Sequence, residues 1–76
     1  MVKLTYDPSV DAAYISFGEI GAGGSVATVN LHPIAGATFI NADVDADGHL
    51  LGIEVIGASR VFATEVLQDA PLPESL

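Results

Sequence analysis

Four carboxylates and a glycine crowd the stretch 43-DVDADGHLLGIE-54, where Asp43, Asp45, Asp47, Gly48 and Glu54 fall at the spacing D-x-D-x-D-G-x5-E. That is the loop pattern of an EF-hand, in which alternate oxygens and a final bidentate glutamate surround calcium while the glycine makes the sharp turn. Such a loop relies on a helix at each end to set its oxygens around the ion. Here Gly36 and the β-preferring Thr38, Phe39 and Ile40 come before it, and Val55, Ile56 and Gly57 come after. Leu51, which has no side-chain oxygen, holds the position that commonly gives a ligand through water. A β-hairpin turn accounts for the same residues: Asp45 accepts backbone N–H groups, Asp47 tolerates unusual φ, and Gly48 supplies the positive φ of a type I turn with a G1 bulge. The hairpin is the preferred reading, with no metal ligand assigned. A calcium-binding protein using Asp43, Asp45, Asp47 and Glu54 is the alternative.

Other reactive side chains do not assemble into a catalytic set. The imidazoles are His32, before a proline, and His49, in the acidic turn, and no spacing selects a serine for either to activate. Both are expected to be solvated loop residues. Asp7 and Asp11, in a D-P-x-x-D turn, suit the capping of backbone N–H groups better than acid/base work. Glu54, between Ile53 and Val55, is expected on an exposed strand face or beside Arg60 or Lys3. The run GEIGAGG is rich in glycine, yet Ser25 and Val26 stand where a phosphate loop needs lysine and a hydroxyl. A flexible loop is expected there. With no cysteine, thiolate chemistry, disulfides and Cys-ligated zinc are excluded. The sequence predicts no catalytic residue, no cofactor and no enzyme.

The elements that position these groups follow from periodicity. Val2–Tyr6 and Ala12–Phe17 alternate and form a first hairpin; Ser25–Leu31, Thr38–Val44 and Leu50–Ile56 read as three further strands, the last two joined by the acidic turn. After Gly57 the period lengthens. Ser59 is placed to cap a helix from Arg60 to about Gln68, whose Phe62, Ala63, Val66 and Leu67 share a face. The expected fold is α+β: a small antiparallel sheet of about five strands, built from hairpins, with one C-terminal helix packed on it. Residues 1–68 form a single β-rich domain and residues 69–76, with two prolines, an irregular tail.

Composition bounds the partners. Ala, Val, Ile, Leu, Met and Phe together with the 8 glycines make 44 of the 76 residues, roughly 58%, against about 45–50% in an average domain. A chain this short buries only about 60% of its unfolded surface. The surplus predicts a homo-oligomer, with an edge strand or the helix face bearing Phe62 and Val66 in the interface. No apolar run approaches the ~18 residues of a membrane span. Ten acidic residues against Lys3 and Arg60 give a formal charge of −8, which nucleic-acid phosphates repel. A basic protein partner fits that charge; nucleic acid and membrane do not. The opening MVKLTYDPS lacks an apolar signal core, so a cytoplasmic location is expected.

Two motifs in order carry a family resemblance. Tyr6, Asp7, Asp11, Tyr14 and Ile15 match Y-D-x-x-x-D-x-x-Y-I, and Asp43, Asp45, Gly48, Gly52, Ile53 and Glu54, followed by Ala58 and Ser59, match D-x-D-x-x-G-x-x-x-G-I-E with A-S after it. From about Leu4 to Phe62 the chain resembles the domain-of-unknown-function 2283 family of small bacterial and archaeal proteins. GEIGAGG and HPIAGATF depart from its shorter members. The resemblance implies a small β-rich domain without an established activity and with no catalytic residues to carry over. It also implies an antitoxin-like role, because such genes often lie beside candidate genes for small toxins. The function expected is therefore a small acidic protein-interaction module, self-associating and antitoxin-like toward a basic partner.

Overall fold

A computed structural model of the chain describes residues 2–18, 24, 27–31, 36 and 38–73. Its alternating segments form five strands, β1 (Lys3–Asp7), β2 (Ala12–Ser16), β3 (Ala27–Leu31), β4 (Phe39–Val44) and β5 (Leu50–Ile56). They make one antiparallel sheet in the order β1-β2-β5-β4-β3. The expected α+β fold of five strands and one short C-terminal helix is what the chain adopts. Strand ends move by a residue or two, and residues 25 and 26, predicted to open the third strand, lie outside the described residues. So do 19–23 of the glycine-rich loop and His32.

Because side chains alternate across a strand, register fixes which residues share a face. Tyr6, Ala13, Val55, Ile40 and Leu31 line up across all five strands, and Leu4, Ile15, Ile53, Ala42 and Val29 form the next row on the same side. This apolar side receives the C-terminal segment. Ala13, Ile40, Val55, Ala58 and Leu67 make the buried cluster, and Leu4, Tyr6, Ile53, Val61 and Phe62 pack around it. Among the described residues no large side chain is fully buried. The core is thin, and Val29 and Leu31 at its far end remain 48% and 37% exposed.

The opposite side carries two polar rows, Thr5, Tyr14, Glu54, Asn41 and Asn30, then Lys3, Ser16, Gly52, Asp43 and Thr28. A third row, Asp7, Ala12, Ile56 and Phe39, closes the end nearest the β1–β2 turn.

The helix departs from expectation. Gly57, at φ 84°, turns the chain out of β5 into a single 3-10 turn, Ala58–Arg60, and α1 (Thr64–Asp69) begins only after a break. Ser59 does not cap it. Ala63 occupies the N-cap position and has no side-chain oxygen to cap with, while the Ser59 hydroxyl donates to Asp11. Six residues are too few for a helix to persist alone, so α1 depends on its buried Leu67. The predicted apolar face is realised in part: Leu67 is buried and Phe62 half-buried, while Ala63 and Val66 are exposed.

Past α1, the Pro71 carbonyl accepts the Tyr6 N–H at 2.9 Å, which ties the tail to the outer edge of β1.

Candidate functional site

The acidic turn is a hairpin turn in its hydrogen bonding. The Asp45 carbonyl accepts the Gly48 N–H at 3.0 Å, the Asp45 N–H donates to the His49 carbonyl at 3.0 Å, and Gly48 sits at φ 83°. That is the type I turn with a G1 bulge expected from the sequence. Asp45 Oδ1 accepts the N–H groups of Asp47 and His49, each at 2.9 Å, and Oδ2 lies 3.3 Å from His49 Nδ1. The His49 N–H, then that of Asp47 and the nearby imidazole, hold the Asp45 carboxyl below its usual pKa. The flanks that an EF-hand fills with helices are β4 and β5 here.

The four calcium candidates are dispersed. Asp45 and Asp47 stay together and, with His49, place ligand-type atoms within 4.8 Å of one another. Asp43 instead faces the open side of the sheet, where Oδ2 accepts the Tyr14 hydroxyl at 2.9 Å and Oδ1 accepts the Thr28 hydroxyl at 2.7 Å. Glu54, on the same side, accepts from Asn41 Nδ2 at 3.4 Å, and Asn41 in turn accepts from Asn30 Nδ2 at 2.9 Å. Strands β3, β4 and β5 are thus laced by an amide and carboxylate ladder.

Tyr14 reaches Asp43 by crossing an intervening strand. It grows from β2, passes over Gly52 of β5 and meets Asp43 on β4. A Cβ at position 52 would run into the phenol, with its Cε2 only 2.7 Å away and the hydroxyl nearer still. Glycine there is what lets the ring lie flat across the sheet. Burial, then the bond to Asp43 and the charges of Asp43 and Glu54, raise the Tyr14 hydroxyl to a pKa of about 12. It stays protonated and donating at neutral pH.

A third network joins the first hairpin to the C-terminal segment. Asp11, at φ 52°, accepts the Tyr6 hydroxyl at 2.7 Å, the Ser59 N–H at 2.9 Å and the Ser59 hydroxyl at 2.7 Å. Its carbonyl takes the N–H groups of Gly57 and Ala58 at 2.9 and 3.0 Å. The Tyr6 and Ser59 hydroxyls lower the Asp11 pKa, and Asp11 raises that of Tyr6. Asp7 accepts the N–H and hydroxyl of Ser9 at 3.0 and 2.6 Å, turning the chain between β1 and β2. Both aspartates of the D-P-x-x-D turn hold backbone.

Residues 3–59 match the family model of a protein of unknown function, DUF2283. The chain belongs to this family. No curated protein and no solved structure matches it. The polar residues by which the chain resembles DUF2283 proteins fall into the networks just described: Tyr6, Asp11 and Ser59 in one, Tyr14 and Asp43 in the second across Gly52, and Asp45 in the hairpin turn at Gly48. In this DUF2283 chain each of them ties one segment of backbone or sheet to another.

Two concavities flank these ties. One, of about 400 Å³, lies between α1 and the end of β1 and is lined by Tyr6, Pro8, Ser59, Phe62 and Leu67 among others. A second, of about 540 Å³, opens on the polar side over Lys3, Thr5, Tyr14, Ser16 and Glu54. Sequence reasoning missed the ladder of Thr28, Asn30 and Asn41. Its signal was present in the alternation, which puts Thr28 and Asn30 on one face of a strand and Asn41 and Asp43 on one face of the next.

Proposed function

We propose that this DUF2283 chain is a small acidic protein-interaction module that associates with copies of itself and acts by binding, without catalysis. The observation that supports it is the incomplete cover of the sheet. Val29, Leu31, Phe39 and Leu50 stay 37–51% exposed on a chain whose buried residues include three alanines, Ala13, Ala42 and Ala58. Full burial of a side chain of that size contributes about 1.5–3 kcal/mol, and at this exposure one copy leaves roughly half of that gain unrealised. Light scattering at micromolar concentration tests the reading: a dimer or higher symmetric mass is expected, and a monomer mass independent of concentration overturns it.

The formal charge of −8 favours a second, compatible reading, docking to a basic protein. An antitoxin-like role would use the acidic surface to cover a basic site on a small neighbour. Co-purification with the product of the adjacent gene, and protection of cells expressing it, test this; a harmless neighbour that does not co-purify removes it.

A further inference from the structure

We infer that the chain dimerises through the outer edge of β3, two copies pairing antiparallel about Val29 to make one continuous ten-stranded sheet. This rests on the self-association proposed above and assigns its surface. The sheet has two edges, β1 and β3, and they differ. At the β1 edge the Tyr6 N–H is already taken by Pro71, and the strand carries Lys3 and Asp7. β3 is exposed at all five residues and, among the described residues, has a sheet neighbour on one side only. Edge strands are commonly guarded by a charge, a proline or a bulge. The sequence of β3, ATVNL, has neither of the first two, and its ladder with β4 runs without a register shift.

The strand is also complementary to itself. A two-fold axis at Val29 sets Val29 against Val29, Ala27 against Leu31 and Thr28 against Asn30. Ala27, Val29 and Leu31 share the side of Ala42 and Ile40, so the joint would merge the apolar sides of two sheets and bury the flanks of Val29 and Leu31. Thr28 and Asn30 extend the polar ladder across it. Charge selects the same edge. Two chains of −8 repel, yet β3 is uncharged and the nearest carboxylate along the ladder is Asp43 on β4. Three strand spacings would separate the two Asp43 rows, about 14 Å, beyond the roughly 8 Å screening length at physiological salt.

The test uses the full chain, whose lack of cysteine makes an introduced one unique. Oxidised Val29→Cys should trap an intermolecular disulfide, since directly opposite Cβ atoms come to about 4.5 Å, within reach of a disulfide, while Val66→Cys on α1 should not. Val29→Glu should weaken dimerisation by about a hundredfold, because the apolar pair of Val29 with its own copy is lost and two like charges are set opposite. Val66→Glu should leave it unchanged. Circular dichroism checks that both charged variants keep the sheet; if Val29→Glu does not, the cysteine pair decides. A parent chain that is monomeric throughout removes self-association and the inference with it. A parent dimer that Val29→Glu leaves intact and Val29→Cys fails to trap, or that Val66→Glu dissociates, overturns the β3 joint alone.

Discussion

At the scale of single residues, Gly52 and Tyr14 act as one unit. The ring occupies the space a side chain at position 52 would need, so Gly52→Ala forces the phenol off Asp43 or the strands apart. Overpacking of this kind costs about 1–3 kcal/mol, which for a domain this small lowers Tm by roughly 4–8 °C per kcal/mol. In a Tyr14→Ala background the same substitution should be neutral or stabilising, because glycine within a strand costs about 0.5–1 kcal/mol relative to alanine. Thermal melts of the four proteins in this cycle check it, and equal costs in both backgrounds would separate the two residues. Asp11 carries the second residue-scale expectation. Its folded pKa is lowered from 3.8, so its contribution is present above the unfolded pKa and is lost as pH falls through the folded one. Asp11→Asn should therefore be less stable than the parent at neutral pH, and the gap should close in acid. Urea midpoints from pH 7 down to about pH 2 measure it, and a gap independent of pH would mean that the carboxylate's charge contributes nothing.

At the scale of elements, the acidic hairpin between β4 and β5 is set by backbone conformation. Gly48→Val should destabilise the fold by about 1–3 kcal/mol, because a β-branched residue resists φ 83°, and calcium should not restore what is lost. Calorimetry is expected to find no tight calcium binding by the parent chain. A micromolar dissociation constant abolished by Asp43→Ala or Glu54→Ala would instead establish the calcium reading. What could be read from sequence divides along the same line. Alternation and the D-G turn are local signals, and they disclosed all five strands and the bulged hairpin. The helix was misplaced because Ser59 looks like a cap to its own neighbours, while its partner is Asp11, 48 positions away. Tyr14 and Asp43 are 29 apart, and no periodicity announces that a glycine on the strand between them clears the path. The candidate groups were legible as types. Their partners were not, since each partner is supplied by strand order, and β5 enters between β2 and β4 from late in the chain.

For the whole molecule, charge and apolar surface make opposite demands, and salt separates them. Each copy carries −8, so pairing through the uncharged β3 edge works against a general repulsion that is long-ranged in dilute buffer and screened as ions are added. Self-association should tighten by on the order of a few-fold as salt rises from about 0.05 to 0.5 M, where the Debye length falls from about 14 to 4 Å. Docking of a basic partner onto the acidic surface should respond in the opposite sense, its association slowing as the same ions screen attraction. Sedimentation of the chain alone across a salt series, beside rate measurements with any basic partner recovered from cells, reads both slopes. A dimer that dissociates as salt is added would have to be held by charge, which β3 does not carry; the joint would then lie elsewhere on the molecule, at a surface where an acidic group of one copy meets Lys3 or Arg60 of the other.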